Sequence, residues 1–287
     1  MSLFLPSVLT IAGSDSSGGA GIQADLKTIT ALGLYGSSAI TALTAQNTTG
    51  VYLTEAVNPK MLARQLEAVF SDIPPQAVKI GMAGNVSSIE VIADKLSCYP
   101  KIPVVLDPVM VSTSGGTLLQ AEALKTLIER LFPLAALVTP NIPETEVLLS
   151  PKKRLLSKRD MEEAASELSG KYQTAFLLKG GHCETYADDV LCHDGTLTWF
   201  PGKRISTPNT HGTGCTLSSA IACGLAKGKT MTESIAAAKE YLNGALMAGL
   251  DLGKGSGPIW HGWQATMGET TAFPPVLLKQ KDHPITP

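Results

Sequence analysis

The chain has 287 residues and a mass of 30.1 kDa, 44% of them apolar and 17% charged, so it can bury a sizeable core and lacks the composition of a disordered chain. A net charge of −2 and a pI near 6.2, with Lys and Arg dispersed apart from Lys152, Lys153 and Arg154, exclude the footprint of a nucleic-acid-binding protein; the short basic run is read as a solvated turn before a helix. Met1 to Pro6 lacks the basic segment of a signal peptide, no apolar run reaches membrane-spanning length, and Cys98, Cys183, Cys192, Cys215 and Cys223 form no CxxC pair, which together predict reduced thiols in a cytoplasmic protein away from membranes.

In chain order, apolar runs at 7–12, 36–43, 77–80, 103–106, 136–139 and 175–178 lack period-two alternation, as strands covered on both faces do. Between them, segments 22–31, 59–70, 87–96, 121–130 and 161–171 carry helical spacing. This alternation predicts an α/β fold, a mostly parallel sheet with helices on both sides, in one domain over 1–267. Segments 189–193 and 196–200 flank Asp194-Gly195, a hairpin signal that predicts an antiparallel edge. Two helices follow, at 212–226 and 230–248, joined at Lys227-Gly228-Lys229. Residues 268–287, with Pro274, Pro275, Pro284 and Pro287, read as an irregular tail.

Ligands of parallel α/β sheets bind beyond the carboxyl ends of the strands, so the residues that follow each strand are the informative ones. After the first strand comes Gly13-Ser14-Asp15-Ser16-Ser17-Gly18-Gly19-Ala20-Gly21, leading into a helix that holds Asp25. Glycines let backbone approach a ligand closely, and an early-helix carboxylate can accept hydrogen bonds from a hydroxyl or amine. The alternative is a plain turn with Asp25 serving the helix dipole. The loop matches neither the P-loop pattern nor GxGxxG. Gln46, in Thr44-Ala45-Gln46-Asn47, offers both a donor and an acceptor, although a loop Gln can equally be only solvated.

Asp107 ends another strand, and Asn141 and Glu144 stand three apart where a helix can begin near Ile142. These groups can hold Mg²⁺ partly through water, or the last two can be helix caps. Lys179, before Gly180 and Gly181, places a cation after a strand, whereas His182 has no nameable partner. The most informative segment is Asn209-Thr210-His211-Gly212-Thr213-Gly214-Cys215-Thr216, opening a helix rich in small residues. Amides at such a terminus form an anion hole aligned with the helix dipole, suited to a transferred phosphoryl group. Cys215 would feel that field, which predicts a lowered thiol pKa and a role as general base; a small buried structural cysteine is the alternative.

With these motifs assembled, the chain resembles the ribokinase-like superfamily, whose late Gly-x-Gly-Asp motif is matched by Gly212-Thr213-Gly214-Cys215 with a cysteine in place of the acid. The segments 12–25, 41–48 and 211–216 together resemble the hydroxymethylpyrimidine phosphate kinases, and the resemblance runs from about Val8 to Trp263. It implies a three-layer α/β/α sandwich that uses ATP and Mg²⁺ to phosphorylate a small pyrimidine and then its monophosphate for thiamine biosynthesis. Carried over residue by residue, Gly13, Ala20, Asp25, Gln46 and Val109 would line the pyrimidine pocket. Cys215 would be the base beside the Gly212 and Gly214 amides. Asp107, Asn141 and Glu144 would serve the metal and phosphates, with Lys179, Thr210, Gly212, Thr213 and Gly214 holding the nucleotide. The resemblance further suggests a homodimer. Pyridoxal kinase is the rival within the fold, where Met commonly replaces Gln46; a non-catalytic pyrimidine-binding regulator is the rival outside it. Ser112 to Gly116 reads as a lid hinge.

Overall fold

Runs that are apolar on both sides form the middle of the molecule, seen in a computed structural model that describes residues 5–110, 119–149, 154–181 and 187–267. The strands are β1 (Ser7–Asp15), β2 (Tyr35–Asn47), β3 (Gly50–Ala56), β4 (Ala77–Ile80), β5 (Val104–Leu106), β6 (Leu137–Val138), β7 (Ala175–Leu178), β8 (Asp189–His193) and β9 (Thr196–Phe200). The helices are α1 (Gly21–Ala31), α2 (Pro59–Asp72), α3 (Val86–Ser97), α4 (Ala121–Arg130), α5 (Ile142–Leu149), α6 (Lys158–Tyr172), α7 (Thr213–Ala226), α8 (Met231–Met247) and α9 (Trp263–Met267).

All nine strands share one sheet in the order β3-β2-β1-β4-β5-β6-β7-β8-β9. The pairs from β2 through β7 are parallel, whereas β3 at one edge and β8 and β9 at the other are antiparallel. Period-two alternation sorts each strand's side chains onto opposite faces. Leu9, Ile11, Val78, Ile80, Val104, Leu106, Phe176 and Leu178 join one core with α2, α3, α4 and α6. Val8, Ala77, Val105, Leu137, Ala175 and Leu177 join the other, against α1, α7 and α8. The result is the expected three layers.

Positive φ at both Asp194 (48°) and Gly195 (73°) makes the β8–β9 turn, the backbone that an Asp-Gly hairpin favours. Ser157 and Thr230 open α6 and α8 with capping boxes. Strand β3 has no counterpart among the predicted elements: its residues are exposed or partly exposed, Tyr52 and Leu53 among them, so no buried face marks it in sequence. The expected lid hinge at Ser112 to Gly116, His182, Cys183, Lys152, Lys153 and the tail from Gly268 lie outside the described residues. Arg154, the last of the basic run, is described and pairs with Glu146 at 2.5 Å. No helix among the described residues is long and apolar enough to cross a membrane.

The strand order reverses direction between β1 and β4, which lie side by side although β2 and β3 intervene in sequence. Such a switch point opens a crevice at the carboxyl ends of the strands. Far from it, Phe132 is fully buried and meets Tyr172 and Phe176 edge-on at 5.0 and 5.7 Å. Phe132→Ala should therefore cost about 3–5 kcal/mol in urea unfolding, while leaving ligand binding per folded molecule intact.

Candidate active site

The loop after β1 is tied down. Asp15 accepts from the Ser17 and Ala20 amides at 2.9 and 2.8 Å and from the Ser17 hydroxyl at 2.7 Å. Its Oδ2 also lies 2.8 Å from His211 Nε2, joining the loop to the residue just before the α7 terminus. The packing is close enough to demand glycines: a Cβ at Gly19 would sit 2.3 Å from the His211 ring, and one at Gly212 (φ +84°) would meet the Gly19 carbonyl. Burial alone would raise the Asp15 pKa, but the bonds from His211, Ser17 and Ala20 hold it at about 2. An ionised Asp15 makes His211 Nε2 the ring's hydrogen donor. The Gln46 amide nitrogen lies 3.3 Å from that same ring atom, which brings Gln46 beside the Asp15–His211 pair. Gly13 lies under the Met82 methyl, 2.3 Å from where a Cβ would be, and Val109 is partly exposed beyond β5.

Asp25 corrects its expectation. It does not face the loop but turns inward, fully buried, with Lys79 Nζ 2.8 Å from both oxygens. Thr10 and Ser219 donate hydroxyls to it at 2.5 and 2.8 Å. With its acceptor capacity engaged, Asp25 is a buried counter-ion rather than an open acceptor for a ligand. Lys79, equally buried, has its pKa raised: burial opposes the charge, but Asp25 outweighs it, with Cys215 and Asp107 adding. Lys79 escaped the sequence reading although it carried a signal. A lysine in the otherwise apolar strand Ala77-Val78-Lys79-Ile80, covered on both faces, requires a buried anion.

Asp107, Lys179 and the start of α7 do converge. Lys179 Nζ lies 2.6 Å from Asp107 Oδ1, which also accepts from Thr139 at 3.1 Å. A Cβ at Gly214 would stand 3.3 Å from Asp107 Oδ2 and 3.5 Å from Lys179 Nζ, so carboxylate and ammonium overhang the helix terminus where the side chain is missing. Asn141 and Glu144 cap α5 reciprocally: Glu144 Oε2 accepts from the Asn141 amide at 2.8 Å, and Asn141 Oδ1 from the Glu144 amide at 2.9 Å. The cap alternative is what the geometry shows for this pair, and Glu144 also feels the charges of Lys179 and Asp107. Burial, opposed by Lys179 and reinforced by Asp107, pushes its pKa up to about 7. Lys179 is raised: burial opposes its charge, and Asp107 and Glu144 outweigh that. Thr210 lies on the exposed approach, 3.4 Å from the Ser256 hydroxyl.

No group of three or more His, Cys, Asp or Glu able to cage a metal forms among the described residues. Two carboxylates, Asp107 and Glu144, near the amino end of α7 nevertheless suit Mg²⁺, which keeps much of its water and binds mainly through substrate phosphates.

Cys215 lies in the first turn of α7, partly exposed. The lowered thiol pKa expected of a helix terminus is corrected. Burial pushes the thiol up to about 11; Lys79 and the Gly21 amide act against this, while Asp25 and Asp107 reinforce it. Desolvation, with two nearby carboxylates adding, prevails, so the resting group is the neutral thiol. Cys98, Cys192 and Cys223 are likewise free thiols.

A sequence profile of the phosphomethylpyrimidine kinase family matches residues 15–260. The chain is 50% identical over 256 residues to the hydroxymethylpyrimidine/phosphomethylpyrimidine kinase of Rhizobium meliloti, covering 88% of this chain and 96% of that protein. It is 51% identical over 256 residues to the thiamine biosynthesis bifunctional protein ThiED of Geobacter sulfurreducens, covering 89% of this chain but only 52% of that longer protein. Among solved structures, the ADP complex of Bacillus subtilis pyridoxal kinase is 36% identical and superposes with a TM-score of 0.84 over 91% of this chain and 99% of that one.

Two expectations follow from the geometry. Lys79→Met or Asp25→Leu alone should lose about 3–5 kcal/mol of unfolding free energy, and the two combined should cost less than the sum, as chemical denaturation would measure. The folded Asp15 pKa, about 2, lies below its ordinary 3.8, so its contribution is complete above pH about 4 and is lost as pH falls toward 2. Asp15→Asn should flatten that acid limb of a thermal-stability profile.

Proposed function

The chain belongs to the phosphomethylpyrimidine kinase family, and from that premise we propose that ATP is its phosphoryl donor and the α7 terminus its transfer site. It is a phosphotransferase of thiamine biosynthesis, acting on 4-amino-5-hydroxymethyl-2-methylpyrimidine and on its monophosphate. One observation carries the assignment of the site: Asp107, Lys179 and Cys215 gather at the amino end of α7, where Gly214 presents bare backbone to the carboxylate and the ammonium.

In this reading the amides of Gly212, Thr213 and Gly214 and the Lys179 ammonium receive the charge that spreads over the transferred group. Asp107, Asn141 and Glu144 would hold Mg²⁺, which supplies neutralisation of the nucleotide phosphates when bound. Gln46, whose amide offers both a donor and an acceptor, meets the pyrimidine edge, while Gly13, Ala20 and Val109 shape the pocket. Asp25 serves that pocket from beneath, through Lys79. Cys215 receives the hydroxymethyl proton; since its thiol sits near 11, the reactive thiolate is a minor form at neutral pH, with the Lys79 cation favouring it. Thr210 borders the nucleotide. The protein works as a cytoplasmic homodimer, each chain folding as one domain over 1–267.

Cys215→Ala should lower kcat by about 10² to 10⁴-fold while binding of the pyrimidine, followed by calorimetry, stays within a few fold. In the native protein kcat/KM should keep rising with pH from 7 toward 10, since the folded thiol pKa is raised, and the substitution should abolish that rise. Near-native turnover after substitution would remove Cys215 from proton transfer.

A further inference from the structure

Lys179 acts only if its backbone is held, and what holds it is unusual. On one side the Lys179 amide donates to the Pro140 carbonyl at 2.9 Å. On the other, the Gly180 amide donates to Asp189 Oδ1 at 2.9 Å. The remaining Asp189 oxygen accepts from Lys239 Nζ at 2.7 Å, and Lys239 also donates to the Ala187 carbonyl at 2.9 Å. Lys239 comes from α8, in the outer layer, yet its side chain is only 10% exposed and that of Asp189 only 6%.

The chain is tailored to admit this contact. A Cβ at Gly180 would stand 2.0 Å from the Asp188 carbonyl, and one at Gly202 would stand 2.2 Å from the Ala187 carbonyl and 3.1 Å from Lys239 Nζ. Two glycines thus let the strands cross closely enough for Lys239 to reach Asp189. A buried ion pair brings little net stability compared with apolar residues of the same shape, so its placement calls for another explanation.

We propose that Lys239 and Asp189 are positioning residues for phosphoryl transfer, an α8-to-β8 relay that fixes the Gly180 amide and through it aims the Lys179 ammonium at the α7 terminus. This rests on the phosphate role assigned above to Lys179. The relay touches no substrate group itself; it sets the backbone from which the cation projects, and a displacement of about 1 Å at such a group costs on the order of 10²-fold in rate.

Steady-state kinetics on the full chain test it, well below the unfolding temperature of each variant, with Lys239→Met, Lys239→Arg and Asp189→Asn made alone and in a Lys179→Met background. Lys239 also walls a groove with Phe200, Asn243 and Trp263; Asp189 does not line it, so Asp189→Asn separates the relay from changes in that groove. We expect Lys239→Met and Asp189→Asn each to lower kcat about 10- to 100-fold with pyrimidine KM unchanged, and Lys239→Arg to recover most of the loss. Once Lys179 is already Met, neither substitution should lower kcat further by more than about twofold, because both act through the missing ammonium. Full, multiplicative losses in that background would overturn the relay and leave the pair a fold contact. A Lys179→Met enzyme with native kcat would instead overturn the phosphate role of Lys179, and the relay with it.

Discussion

A fully buried lysine and a fully buried aspartate, Lys79 and Asp25, sit where four elements meet. Lys79 rises from β4, Asp25 from α1, and the hydroxyls that complete the carboxylate's shell come from Thr10 on β1 and Ser219 on α7. Charge without water must be paired and fully hydrogen-bonded, so these elements are fixed relative to one another by the cost of disturbing any of them. β1 and β4 flank the switch point of the sheet, and α7 opens beside Asp107 and Lys179. The pair therefore fixes β1, β4, α1 and α7 relative to one another before any ligand arrives.

Around these elements, backbone proximity does what side chains do elsewhere. Gly19 and Gly212 bring the β1–α1 loop onto the α7 terminus, Gly214 lets Asp107 and Lys179 overhang it, and Asp15 locks the loop to His211. Burial first, with nearby carboxylates adding, holds Cys215 and Glu144 above their ordinary pKa values. Proton-holding groups beside a helix amino end suit a site where charge arrives with the substrate rather than residing in the protein.

Much of this was legible in the sequence, for definite reasons. Strands such as Ala77–Ile80 and Ala175–Leu178, and helix Ala121–Arg130, were read to the residue because burial on two faces and amphipathic spacing leave strong patterns. The Asp194-Gly195 hairpin was read from turn chemistry. Strand β3 was not, since its stability comes from pairing with β2 and not from a buried face. In the site, the motifs marked Asp107, Lys179 and the Gly212 to Cys215 segment, which the fold brings together. Sequence could not show that Asp25 turns inward, because that depends on a lysine 54 residues away. Nor could it show that desolvation, with two carboxylates adding, prevails at Cys215, since both effects belong to the assembled interior.

The structural likeness to a pyridoxal kinase shows how little the scaffold alone says about the substrate. The most direct measurement offers the protein ATP with hydroxymethylpyrimidine, its monophosphate and pyridoxal in parallel, with and without Mg²⁺, and identifies products by mass spectrometry. Mg²⁺-dependent conversion of the pyrimidine through the monophosphate to the diphosphate, with pyridoxal a poor substrate, is the predicted result. Preferential formation of pyridoxal phosphate, or no transfer to any of the three, would contradict it.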